Sequence, residues 1–140
     1  MKKILFVCIH NSARSQMAEA FMNRLGNDKF IAESAGIEAG TLNPLVVQAM
    51  QEIGYDLSKN TTNSVFEYYK EGRSYSVVIK VCDQVAGERC PVFPKVLLNL
   101  NWNIEDPSAL QGTDQQKMPR IRQIRDQIKS KVEEFIVQYS

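Results

Sequence analysis

Residues 8–15 read CIHNSARS and follow directly on the apolar run ILFV. A cysteine and an arginine separated by five residues have one piece of chemistry open to them. If the loop between them curls round the sulfur, its backbone N–H groups and the planar guanidinium of Arg14 make a cradle for a tetrahedral oxyanion. The same positive field stabilises a thiolate at Cys8, so one loop both activates a nucleophile and holds its anionic substrate. Ile9, His10, Asn11, Ser12 and Ala13 line such a cradle. Asn11 is a residue type that tolerates left-handed backbone in a loop without glycine, and Ser15 is placed to donate its hydroxyl to the sulfur. The plainer alternative is an inert strand-end thiol, a surface arginine and a His10 that faces solvent. A nucleotide-binding loop is excluded, because no G-x4-G-K-[ST] is present.

The elements around the loop favour the chemical reading. KKILFVC is a short continuous apolar run, as in a strand covered on both faces. From Ser15, the residues Met17, Ala18, Phe21, Met22 and Leu25 fall at helical spacing and the pattern stops at Gly26. Cys8 therefore ends a strand just where a helix N-terminus begins, a place that gathers N–H groups and positive helix dipole. FIAESAGI predicts a second strand. NPLVVQAMQEIG predicts a helix capped by Asn43, with Pro44 in its first position and Gly54 beyond its end. Residues 61–72 read as a short helix. YSVVIKV predicts a third strand ending at Cys82, and VLLNL a fourth. From Asp114, an apolar stripe of Ile121, Ile124, Ile128, Val132, Phe135 and Ile136 predicts a long helix whose charges form a solvated face. This alternation implies an α/β domain with a mostly parallel sheet, helices on both faces, and a ligand crevice beyond the strand ends.

Composition narrows the class. The 140 residues are 44% hydrophobic and 24% charged with a net charge of +1, which gives no electrostatic case for nucleic acid or a membrane surface. The N-terminal apolar run is short for a signal peptide and lacks a small-residue cleavage site, and no run approaches a membrane span. The expectation is one domain over 1–140, in the cytoplasm, acting as a monomer. The three cysteines, Cys8, Cys82 and Cys90, are too few and too odd in number for a disulfide framework, and no C-x2-C knuckle supports zinc.

VCIHNSARSQMAEAF resembles the signature loop of low-molecular-weight protein tyrosine phosphatases and of the arsenate reductases that share their fold. SAGI, NPLVVQAM, DPSALQGT and the C-terminal helix extend the resemblance over nearly the whole chain. It implies a three-layer sandwich with a four-stranded parallel sheet in the order 2-1-3-4. Ala13 stands where members often carry a second cysteine, so no disulfide can form within this loop. Asp-Pro is otherwise only a turn signal. In NWNIEDPSAL the resemblance makes Asp106 the general acid, with Glu105 beside it and Trp102 as packing.

The resemblance also gives Cys82 and Cys90 a use, since a phosphatase needs only Cys8, Arg14 and Asp106. If the first and third strands are parallel neighbours, as the resemblance implies, their ends lie about 5 Å apart, inside the approximate 4.4–6.8 Å Cα range of a disulfide. Cys82 then attacks Cys8, and Cys90 attacks Cys82 in turn. A helix over 82–90 would hold the last two sulfurs about 12 Å apart, so that segment must be a loop or must open. Related reductases usually space this pair one residue closer. Some relatives hold potassium near the loop; Asn11, Glu19 and Ser34 occupy matching positions, whereas Asn63 falls where an acidic ligand is expected. The expected activity is reduction of arsenate to arsenite through a Cys8→Cys82→Cys90 relay, with no bound cofactor and thioredoxin or a similar thiol as external reductant. A phosphate monoesterase and a non-enzymatic oxyanion-binding or thiol-sensing module are the alternatives.

Overall fold

The computed structural model of the chain describes residues 1–81 and 90–139. In chain order its elements are β1 (Lys2–Cys8), α1 (Arg14–Leu25), β2 (Phe30–Gly36), α2 (Pro44–Gln51), α3 (Val65–Lys70), β3 (Val77–Lys80), β4 (Leu98–Asn101), a 3-10 turn (Pro107–Ala109) and α4 (Asp114–Tyr139). The strands form one parallel sheet in the order β2-β1-β3-β4. β1 is central, and this explains its unbroken apolar sequence. Ile4 and Phe6 pack with α1, α2 and α4 on one face, while Leu5 and Val7 pack with Val65, Tyr75, Val78 and Phe93 on the other. A strand covered twice has no side that can stay polar.

Local chemistry places the helix ends. Asn43 Oδ1 accepts from Leu45 N at 3.0 Å and Val46 N at 3.4 Å, so α2 starts where the Asn-Pro pair predicts. The stretch 61–72, read as a short helix, contains α3, which Ser64 caps by accepting from Phe66 N at 3.2 Å. On α4 the predicted stripe is buried at Ile121, Ile124, Ile128, Val132 and Phe135. One charge departs from the predicted solvated face. Arg125 is buried, donates to Ala49 O at 2.9 Å and pairs with Glu52 at 3.1 Å, so it ties α4 to a free carbonyl in the last turn of α2.

The third strand stops at Lys80, two residues before its predicted end. Lys80 is level with Val7, and Val81 N still donates to Val7 O at 2.7 Å. Cys82 lies outside the described residues. Among the described residues no helix is long and apolar enough to cross a membrane.

Candidate active site

The sheet brings Cys8 to the carboxyl end of its central strand, and the loop 8–14 then turns into α1. Four carbonyls of this loop are taken from one side. Cys8 O accepts from Ile37 N, Ile9 O from Glu38 N, His10 O from Gly40 N and Ser12 O from Asn43 N, at 2.7–3.0 Å. Each peptide is trans, so the N–H opposite each carbonyl points the other way. The amides of Ile9, His10, Asn11 and Ala13 thereby face away from those partners, and the Asn11 N–H reaches Cys8 Sγ at 3.2 Å. Asn11 makes the curl possible by adopting φ +55°. α1 has no side-chain cap, so the first amides of the helix are not taken up by a capping side chain.

A hydrogen-bond chain ends on the sulfur. Asn63 N donates to Asn11 Oδ1 at 2.9 Å, Asn11 Nδ2 donates to Ser15 Oγ at 2.7 Å, and Ser15 Oγ lies 2.9 Å from Cys8 Sγ. Ser15 Oγ accepts from Asn11 and keeps its own proton, which it can donate to a Cys8 thiolate. Cys8, Asn11 and Ser15 are all buried. The Asn11 N–H and the Ser15 hydroxyl are the hydrogen-bond partners the structure gives to a nucleophilic sulfur at this position. His10 is exposed, with Nδ1 3.2 Å from Glu38 O.

Arg14 crosses from this loop to the 104–108 segment. Its side chain is only 3% exposed; Nη1 donates to Ile104 O at 2.9 Å and Nη2 lies 3.8 Å from Asp106 Oδ2. Asp106 Oδ1 accepts from Ser108 N at 2.9 Å, which caps the 3-10 turn and orients the carboxylate. The neighbouring carboxylate is used differently: Glu105 pairs with Arg120 on α4. Trp102 is buried with its ring 5.6 Å from that of Phe6, a packing position beneath the segment. Cys8, Arg14, Ser15 and Asp106 are thus brought to one crevice.

Cys90 is elsewhere. It lies against the second face of the sheet in a cavity of about 210 Å³ lined by Val78, Lys80, Phe93 and Val96, with Sγ 3.5 Å from Pro91 O. Burial pushes its thiol up from the ordinary range, against a smaller opposing pull from Lys80. No spatial link between Cys90 and Cys8 follows from the described residues.

Several participants have no sequence signature. Gly36 lets β2 run against the loop: a Cβ there would come within 2.6 Å of Asn11 N and 2.7 Å of His10 C. Gln16 Nε2 donates to Asn11 Oδ1 at 3.2 Å and to Thr61 O at 2.9 Å, joining the loop to residues 61–63. The half-buried Glu19 on α1 has its carboxyl pushed up to about 7, mainly by burial. Among the described residues Ser34 Oγ is a buried side-chain atom with no hydrogen-bond partner, and no cluster of three or more His, Cys, Asp or Glu is arranged to hold a metal.

Known proteins resemble this chain over nearly its whole length. The family model for low molecular weight phosphotyrosine protein phosphatases matches residues 3–139. Two proteins named arsenate reductase, from Halalkalibacterium halodurans and Bacillus subtilis, are each 36% identical over 134 residues, 96% of this chain and 94% of theirs. A solved structure of an arsenate reductase in the phosphate binding state aligns with a TM-score of 0.78 and 33% identity over 100% of both chains.

Proposed function

We propose arsenate reduction as the activity of this chain, which belongs to the low molecular weight phosphotyrosine protein phosphatase family. The observation that carries the reading is the Cys8 sulfur held by the Asn11 amide and Ser15 at the start of α1, in a chain whose relatives along 96% of its length are named arsenate reductases. The two further thiols agree with it, because ester hydrolysis has no use for them.

Arsenate enters the loop with its oxygens on the amides and on Arg14. The Cys8 thiolate attacks arsenic and one oxygen leaves as water, with Asp106 as its proton donor. The Cys82 thiolate then attacks Cys8 Sγ. The sulfur–arsenic bond breaks, its electron pair goes to arsenic, and arsenite departs from a Cys8–Cys82 disulfide. Cys90 attacks Cys82, releases the Cys8 thiolate and leaves a Cys82–Cys90 disulfide for an external dithiol, thioredoxin or one like it. Cys90 must first leave its cavity, where burial keeps it a neutral thiol. No bound cofactor is needed, since both electrons come from thiols.

The test is a disulfide map by mass spectrometry of Cys90→Ser after a single exposure to arsenate. A trapped Cys8–Cys82 bridge is expected, together with loss of thioredoxin-coupled turnover in Cys82→Ser and Cys90→Ser and retained hydrolysis of a phosphate ester. Full turnover in both variants, with no arsenate-dependent use of reducing equivalents, would leave an esterase. Oxyanion binding with neither activity would leave a sensor.

A further inference from the structure

Behind the Cys8 loop, three oxygens from three separate segments converge on one nitrogen. Asn63 Nδ2 lies 3.4 Å from Ser34 O, 3.4 Å from Thr61 O and 3.5 Å from Asn11 Oδ1. A ring of carbonyl-type oxygens is the donor set of a hard cation. The family resemblance places potassium among Asn11, Glu19, Ser34 and an acidic residue at position 63. In this chain N–H groups already reach the Asn11 and Thr61 oxygens, and among the described residues the buried Ser34 hydroxyl has no partner. Asn11 Oδ1 accepts from Asn63 N at 2.9 Å and from Gln16 Nε2 at 3.2 Å, and Thr61 O accepts from Gln16 Nε2 at 2.9 Å. The ring also fixes which way the Asn63 amide points, because a flipped amide would set its oxygen against three others.

We propose that the Asn63 carboxamide takes the place of an alkali cation, so that its N–H2 group, rather than a bound ion, fastens the Cys8 loop to residues 34 and 61–63. Charge fits this substitution. An aspartate at 63 would add a second carboxylate to that of Glu19 in the potassium set the resemblance names, which calls for a balancing positive charge; asparagine leaves one. Ser34 presents its carbonyl to the ring, 3.4 Å from Asn63 Nδ2. The consequence is a catalytic loop whose geometry is independent of the monovalent salt.

Thermal unfolding of the full chain tests this without any activity measurement. Melting temperatures are compared in potassium, sodium and choline chloride at equal ionic strength for the wild type and Asn63→Asp. The wild type is expected to melt at one temperature in all three salts. Asn63→Asp is expected to melt lower in choline and to recover with a saturable dependence on potassium, about 4 °C at ten times the dissociation constant. A saturable, potassium-specific rise in the wild type overturns the proposal, as does an Asn63→Asp protein as indifferent to potassium as the wild type. Should Asn63→Asp fail to fold in every salt, Asn63→Ser decides: it removes the donors, and indifference to potassium in that variant also overturns the proposal.

Discussion

Asn43 Nδ2 donates to Ser108 Oγ at 3.0 Å, joining two loops that are 65 residues apart in the chain. The Asn43 backbone N–H simultaneously donates to Ser12 O at 3.0 Å. One residue therefore holds the anion loop on one side and the turn that orients Asp106 on the other, while its Oδ1 caps α2. Two substitutions separate these duties. Asn43→Ala loses the cap and the bridge, and its melting temperature should fall by about 4 °C for roughly 1 kcal/mol of lost capping. Asn43→Ser keeps a capping oxygen but cannot reach Ser108. It should melt near the wild type yet lose about tenfold in kcat with little change in KM, a fraction of what a general acid contributes. Unchanged kcat in Asn43→Ser would show that the bridge does not position Asp106.

Gly36 is the second prediction. A methyl group there meets three backbone atoms of the loop, at 2.6 Å from Asn11 N, 2.7 Å from His10 C and 2.9 Å from Ile9 O. Backbone cannot rotate aside as a side chain can, so Gly36→Ala should cost about 1–3 kcal/mol and push the loop open. Calorimetric titration with phosphate should show binding weakened at least as much as the fold. Normal phosphate affinity in a normally stable variant would contradict the close approach.

Cys90 carries a sign that is easily checked. Burial raises its thiol, so in the native protein the reactive thiolate is scarce at neutral pH and becomes available only above the ordinary thiol range. Alkylation with iodoacetamide, mapped residue by residue, should be slow at Cys90 near pH 8, rise steeply with pH, and reach the rate of a free thiol in denaturant. Fast native labelling at pH 8 would mean that the cavity is open in solution.

Glu19 makes stability depend on pH. Its carboxyl is raised from 4.5 to about 7 in the folded chain, so the native state holds a proton that the unfolded state has released. Native stability therefore falls as pH rises from about 4.5 to about 7 and levels off above that. The drop attributable to this group is on the order of 3 kcal/mol. Glu19→Gln should remove it. Denaturant midpoints at pH 5 and pH 8 should converge in the variant and stay apart in the wild type.

What the amino-acid order determined by itself was local or periodic. β1 is apolar throughout because both of its faces are covered, α2 starts at Asn43-Pro44 because that pair supplies a cap and a fixed φ, and Asn11 takes the left-handed turn that a glycine-free loop demands. The strand–loop–helix frame around Cys8 follows from the same short-range rules, and the strand order 2-1-3-4 was legible through the family resemblance.

Tertiary structure alone decided which distant groups meet. Glu105 and Asp106 are adjacent and chemically alike, yet one pairs with Arg120 and the other lies beside Arg14, because only the docking of α4 separates them. Nothing near Asn63 or Gln16 in the chain announces their contact with Asn11, and no pattern shows that Gly36 must clear the loop's backbone. The apolar run ahead of Cys82 continues past Lys80, but ladder pairing, not composition, ends β3 there. Periodicity reports which face of an element is buried. It carries no information about what lies opposite, and the chemistry of this site depends on what lies opposite.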